Sequence, residues 1–390
     1  MHKVKVSHQE IDENLFIRSE KLKINNKTLK TPVKAVNMPN LRGDVPIKNN
    51  IKGVNEIFKT FKIEDIKKYC SGEKDESKIY KNINTSLNKT DKDKEVNICF
   101  IQLPNAKLPE GKEVDFISNI SYINSDITPL PLVHGLFKEN DVEKNFEIFT
   151  DFMQNCIDSI NRLNNKPILG VIPGAMPSVI VEYLVEFYYD NDITSFAFDF
   201  QGKIHKNYES QIREMMVKIL ELDISNESFL YSCNTQRGKL SSGSTVIKGN
   251  DIMVYNYGFD VMGDSHIKPN IPPEIAKQMN KRSNNSLNIR LFNSQDYGHY
   301  KFSDMESVKK MYPYDETDIE LDFFNPNTIK KRALDSQKLF NAERIGLELN
   351  KYKNMLNHKE STYDYINTKD QIKDSLDKFK DYRADLTNLL

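Results

Sequence analysis

The chain has 390 residues, 38% of them hydrophobic and 28% charged, and its formal net charge is −1. That length suits one large domain or two ordinary ones, and near-neutrality excludes nucleic-acid binding through bulk charge alone while leaving room for a local basic face. The cysteines Cys70, Cys99, Cys156 and Cys233 form no CxxC or CxC pair and no apolar run approaches the ~18 residues of a membrane span, so a reducing, cytoplasmic setting is expected, with no disulfide framework, no zinc site evident from spacing and no membrane partner.

Short β-rich runs then alternate with helical stretches. The runs are Thr31–Met38, Asn97–Leu103, Asp126–His134, Pro167–Pro173, Ser195–Phe200, Ser228–Cys233 and Asp251–Asn256. Most are continuously apolar (PILGVIP, SFAFDF), the pattern of parallel strands covered on both faces. Polar Ser71–Glu95 reads as a surface insertion, partly mobile. Asn140–Leu163 sets Val142, Phe146, Phe149, Phe152, Met153, Cys156, Ile157 and Ile160 on one helical stripe. Pro177–Tyr189 opens with a proline suited to a helix's first turn, and Tyr208–Leu222 turns Ile212, Met215, Met216, Ile219 and Leu220 inward. Pro269–Leu287 reads as a second insertion, and beyond Asn325 two charged amphipathic helices are expected, over Ile329–Leu356 and Lys369–Leu389.

Strands separated by helices of this length imply βαβ units and a parallel sheet. The expected class is α/β: a (β/α)8 barrel of the TIM type over residues 1–325, with insertions near 71–95 and 269–287, and a helical segment, 326–390, packed on or beside it. A doubly wound sheet is the alternative, but no strand is followed by its Gly-rich phosphate turn.

Several segments follow one another in a telling order: FIRSEKLKINNKTLKTPVKAVNMP at Phe16–Pro39, PILGVIPG at Pro167–Gly174, SFAFDFQGK at Ser195–Lys203, SFLYSCNT at Ser228–Thr235, KGNDIMVYNYGFD at Lys248–Asp260, the stretch Arg290–Asp315, and AERIGLELN at Ala342–Asn350. In order and spacing they resemble the tRNA-guanine transglycosylase family, barrel enzymes that exchange guanine for a 7-deazaguanine. The departures are specific. No cysteine follows Cys233, and Leu349 stands where the family's last zinc ligand is a histidine. A tetrahedral zinc needs four such ligands, so no metal of that kind and no cofactor is expected. The family's DSGGFQ loop is absent, its base-reading glutamine is replaced by Pro173, and its paired glycines by Phe198 and Asp199.

Base exchange by this route needs a carboxylate to hold the ribose C1′ after guanine leaves, and a second group to manage the proton on the base. Asp260, expected just past the C-terminal end of the last strand, and Asp199, ending its own apolar strand, are the catalytic candidates. A carboxylate in an apolar run is costly unless paired or working. Each also has a structural reading: Asp260 as a turn cap, Asp199 as an ion-pair partner of Lys203, Arg237 or Lys239. Asp251 is expected at the opposite, N-terminal end of its strand. Asn256, Asn234, His134, Gly174 and His266, at or near expected strand ends, are the substrate-binding candidates, although a lone histidine there equally serves the core. Arg237 and Lys239 in NTQRGKLSSGS, with Lys281 and Arg282 in KQMNKRSNN, are candidates for phosphate contact, and each run reads equally as solvated surface.

The expected function is thus base exchange, with tRNA or DNA and a 7-deazaguanine base as partners and a homo- or heterodimer as a possible assembly. Two alternatives stand beside it: a non-catalytic, nucleic-acid-binding relative of such an enzyme, and an unrelated barrel enzyme acting on a small polar metabolite.

Overall fold

Side chains over 20–24 alternate buried and exposed, and a tight turn at Asn25, whose φ of 53° an asparagine tolerates, folds residues 5–30 back on themselves. They form an antiparallel sheet of β1 (Lys5–Ile11), β2 (Arg18–Ile24) and β3 (Lys27–Lys30). The computed structural model describes residues 4–138, 141–163, 166–267, 272, 274–275, 289–325 and 330–388.

The continuous apolar runs that follow pair in parallel, as strands covered on both faces do. In chain order they are β4 (Val33–Lys34), β5 (Val36–Asn37), β6 (Val54–Thr60), β7 (Val96–Leu103), β8 (Thr128–Pro129), β9 (Leu132–Val133), β10 (Ile168–Pro173), β11 (Phe196–Asp199), β12 (Leu230–Cys233) and, after the short β13 (Val246–Lys248), β14 (Val261–Met262). One parallel sheet has the order β4-β14-β12-β11-β10-β8, and a second the order β5-β6-β7-β9. Every residue of β7 and of β10 is buried. Gly170 lets Tyr188 lie against β10, because a Cβ there would stand 2.8 Å from the Tyr188 ring. Helices fill the crossovers, among them Lys112–Ile123, Val142–Leu163, Val181–Asp190 and Glu209–Glu221. Of the stripe foreseen over 140–163, Phe149, Phe152, Met153, Cys156, Ile157 and Ile160 are buried, while Val142 and Phe146 are half-buried.

Three expectations change. The run Asp251–Asn256 is not a strand: Ile252–Tyr257 forms a 3-10 helix with all six side chains buried, stopped at Gly258 in the left-handed region. The last parallel strand is Val261–Met262 instead. A short apolar run carries no periodicity that separates a buried strand from a buried helical turn. The sequence GVNEIFKT was not among the expected strands, yet its residues Val54–Thr60 form β6. The polar stretch 71–95 is no bare insertion, for it carries the helix Ser77–Leu87, whose Ile79 and Ile83 are buried. The second expected insertion, Pro269–Leu287, lies almost wholly outside the described residues.

A third, antiparallel sheet joins β13 to β16 (Gly298–Phe302) and β16 to β15 (Ile289–Asn293). The long helix Lys330–Asn357 locks onto it: the Asn341 side chain accepts from the Phe292 amide at 2.8 Å and donates to the Arg290 carbonyl at 2.9 Å. The same helix reaches the β5–β6 connection, where Glu343 accepts from the Lys48 amide at 2.8 Å. Among the described residues no helix is long and apolar enough to cross a membrane.

A candidate functional site at the strand ends

Parallel pairing brings the C-terminal ends of neighbouring strands to the same edge. Thr60 of β6 pairs with Gln102 of β7, Gln102 with Leu132 of β9, and Asp199 of β11 with Cys233 of β12. Polar side chains that close these strands therefore meet.

They form one hydrogen-bonded chain. The Thr60 hydroxyl donates to Gln102 Oε1 at 3.1 Å, and Gln102 Nε2 lies 3.0 Å from His134 Nδ1. His134 Nε2 lies 2.7 Å from Asp199 Oδ2. If Gln102 donates to Nδ1, the imidazole carries its proton on Nε2 and donates it to Asp199. The other oxygen of Asp199 accepts from Asn234 Nδ2 at 2.8 Å and from the Gln201 amide at 3.0 Å. Asn234 and Gln201 both hold positive φ, 57° and 48°, backbone states that cost energy outside glycine and gather where a geometry is imposed. Asp199 itself is 1% exposed. A carboxylate this deep is tolerable because three donors reach it.

From Asn234 the chain continues. Its Oδ1 accepts from the His266 amide at 2.9 Å, and His266 Nε2 lies 2.8 Å from Glu56 Oε1. The His266 ring stacks on Phe58 at 4.1 Å between centroids. The second oxygen of fully buried Glu56 accepts from the Asp264 amide at 2.8 Å, and Asp264 accepts from Lys34 Nζ at 2.7 Å. Burial opposes the charge on Asp264, but Lys34, His266 and Lys338 hold its pKa below the ordinary carboxylate value.

Of the residues singled out from the sequence, Asp199, His134, Asn234 and His266 meet in this chain. Gly174 abuts it: its amide donates to the Asp199 carbonyl at 2.9 Å, and a Cβ would stand 2.7 Å from that oxygen. Asp260 does not join them. It precedes β14 rather than following the last strand, and its amide donates to Leu230 O at the start of β12. Asp199 is level with Cys233, three residues along the same strand, so the two carboxylates lie roughly 10 Å apart along the strand direction, toward opposite edges of the sheet. The Asp260 carboxylate is taken up by Arg18, at 3.0 Å to Nε and 2.5 Å to one terminal nitrogen, by the Leu230 amide at 2.8 Å and by Thr31. The expected cavity shared by Asp199 and Asp260 is therefore corrected: Asp260 closes a buried ion pair. Asn256 is likewise remote, buried in the 3-10 helix with its amide nitrogen 3.7 Å from Met253 Sδ.

Beside Asp264, a cavity of about 330 Å³ opens between the loops after β12 and β14 and the helix Lys330–Asn357. Arg237 lines it, whereas Lys239 is exposed outside it; Lys281 and Arg282 lie outside the described residues. Asp251, expected at the far edge, also lines this cavity, because the run it opens is not a strand. Among the described residues no three His, Cys, Asp or Glu side chains cluster as metal ligands would.

Sequence reasoning missed Glu56, Gln102, Lys34, Arg290 and His299. Glu56 left one usable signal, an acid within an otherwise strand-like stretch, VNEIF. Comparison of the sequence with known protein families found no match, and comparison with curated proteins found none either.

Proposed function

We propose that the chain is a barrel enzyme that exchanges guanine for a 7-deazaguanine base in tRNA or DNA, with Asp199 rather than Asp260 supplying the carboxylate. The observation that carries this reading is the hydrogen-bonded chain from Thr60 through Gln102, His134 and Asp199 to Asn234 at the C-terminal ends of parallel strands, continued by His266 to Glu56 near the start of β6. Barrel enzymes work at that edge. Closure is supported by continuity: only Ala35 separates β4 from β5, and only Leu130 and Pro131 separate β8 from β9. Each pair thus joins the two parallel sheets, making a ring of eight strands in which β4–β5 and β8–β9 count once each.

In base exchange the carboxylate forms a bond to C1′ as the C1′–N bond to guanine breaks, and the incoming base reverses the step. Asp199 has a proton carrier, His134, at hydrogen-bond distance, while Asn234 and Gln102 hold the carboxylate and the imidazole in place. The segment order along the chain, similar to that of the transglycosylases, supports the substrate class.

The test is incorporation of radiolabelled guanine into bulk tRNA and bulk DNA by the purified chain. Incorporation is expected with one polymer, and Asp199→Asn, which is nearly isosteric, is expected to abolish it without unfolding the protein. Unchanged incorporation by Asp199→Asn would remove the assigned role. A second reading, a non-catalytic nucleic-acid-binding relative, is favoured by one observation: both Asp199 oxygens are already hydrogen-bonded within the chain. Binding of tRNA or DNA without any exchange would select it.

A further inference from the structure

The cavity beside Asp264 is unusual in its charge. Four cations line it, Lys34, Arg237, Arg290 and Lys338, against the two carboxylates Asp251 and Asp264. The carboxylates are already engaged. Asp264 pairs with Lys34 at 2.7 Å, and Asp251 lies 3.1 Å from His299 Nε2. Burial keeps the His299 pKa below its ordinary value, so near neutral pH the ring is uncharged; it accepts at Nδ1 from Arg237, 3.2 Å away, and donates from Nε2 to Asp251. Arg237, Arg290 and Lys338 form no ion pair with any carboxylate among the described residues.

Arg290 is the sharpest case. Its Nε is buried and has no hydrogen-bond partner among the described residues. Burial and the neighbouring charge of Arg237 both press its pKa below the ordinary value. Its main chain is clamped by the long helix, through Gln337 at its amide and Asn341 at its carbonyl. Arg237 is also fixed, its carbonyl accepting from Asn250 Nδ2 at 2.8 Å. The Asp251 charge that acts on Arg237 is already engaged by His299, and Arg290 has no carboxylate partner among the described residues, so the two arginines are a standing cost, since like charges in a partly dry site repel. An anion between them removes that cost.

We infer that this cavity is a phosphate site, in which Arg237 and Arg290, with Lys338, grip one phosphate group of the ligand. The guanidinium fork matches phosphate oxygens, and the excess of two positive charges neutralises a monoester dianion and exceeds the single charge of a diester. The position agrees, because loops after the last two parallel strands are where barrels frequently hold phosphate. The inference rests on the reading of the strand ends as a ligand-binding mouth, and it deepens that reading: the reacting group sits at Asp199 and a phosphate anchors at Arg290. The same chemistry has two sources, the diester backbone of a nucleic acid or the monoester of a small phosphorylated ligand.

The test is calorimetric titration of the full chain with inorganic phosphate, at fixed ionic strength against chloride. Saturable binding is expected. Arg290→Gln and, separately, Arg237→Gln are expected to weaken it roughly 10- to 100-fold, the loss of one charge-assisted contact. Lys338→Gln, on the helix surface of the cavity, is a third variant should either arginine variant fold poorly, and urea denaturation without ligand checks each. Competition by an oligonucleotide lacking terminal phosphates supports the backbone source, and competition by a 5′-phosphorylated mononucleotide alone supports the monoester. Binding no stronger than chloride, wild-type affinity in all three variants, or binding of inorganic phosphate that neither competitor displaces would overturn the site. Binding is read without turnover, so its failure and the failure of guanine exchange are separate results.

Discussion

Asp199 and Asp260 stand in similar sequence surroundings, each beside a short apolar strand, and the fold sends them to different tasks. Asp199 ends its strand and meets His134, Asn234 and the Gln201 amide; Asp260 begins its strand and meets Arg18. The Asp260–Arg18 pair is buried on both sides, with side chains 0% and 5% exposed. Arg18 also lies 3.2 Å from buried Glu20, so losing Asp260 leaves Arg18 one carboxylate and losing Arg18 strands two, and breaking such a buried network costs about 3–5 kcal/mol. Asp260→Ala is therefore expected to destabilise the fold by about that amount, and the double variant Arg18→Met/Asp260→Ala by less than the sum of the singles. Urea denaturation of the four proteins measures the coupling; additive losses would show that the pair does not act as one unit. Asp199 was legible because a carboxylate inside SFAFDF has no apolar excuse. Glu56 and Arg18 were not, since nothing local tells which of the 56 acidic residues end buried and which in water.

At the scale of elements, the helices were more legible than the last strand. A helical stripe repeats over several turns, as in Val142–Leu163, whereas DIMVYN offers six apolar-rich residues that fit either a strand or a buried 3-10 turn. The long helix Lys330–Asn357 was foreseen from its pattern, but not how closely it approaches its neighbour. A Cβ on Gly346 would stand 2.9 Å from Ile51 Cβ. Two effects oppose each other in Gly346→Ala. Helix propensity favours alanine by about 1 kcal/mol. Overpacking against a branched carbon next to backbone costs typically about 1–3 kcal/mol. A net loss of stability is expected, read as a lower midpoint in thermal unfolding, and a raised midpoint would show that the helix can move off Ile51.

At the scale of the whole molecule, buried histidines make the fold acid-sensitive. His205 is 1% exposed and packs against Tyr257 and Phe379; its Nδ1 faces the Tyr257 hydroxyl at 3.2 Å and its Nε2 has no partner among the described residues. Burial first, then Lys206, lowers its pKa to about 3, with Asp251 a weaker opposing influence. The unfolded chain titrates near the ordinary histidine value of about 6.5, so above that pH both states are neutral and the stability is complete. Below it the unfolded state gains a proton that the folded state refuses, and stability falls as pH drops from about 6.5 toward 3, by up to about 1.4 kcal/mol per pH unit. His299, also lowered by burial, adds in the same direction. Denaturant unfolding at pH 7, 6 and 5 should show the decline, and His205→Phe should flatten it. An unchanged slope in that variant would assign the acid sensitivity to other groups.

By itself the sequence determined most of the parallel strands and their helices, though not β6 or the last strand, because a strand covered on both faces must be apolar along its length and a helix must carry a stripe. Both are local demands that a single stretch of chain displays. Only the tertiary structure decided where the last strand lies, which acids face which cations, and that two arginines share a cavity. Those outcomes rest on contacts such as Arg18 with Asp260, 242 residues apart, and His266 with Glu56, 210 apart. Their partners are chosen by which strand ends the pairing brings to one edge, and no stretch of sequence carries that choice alone.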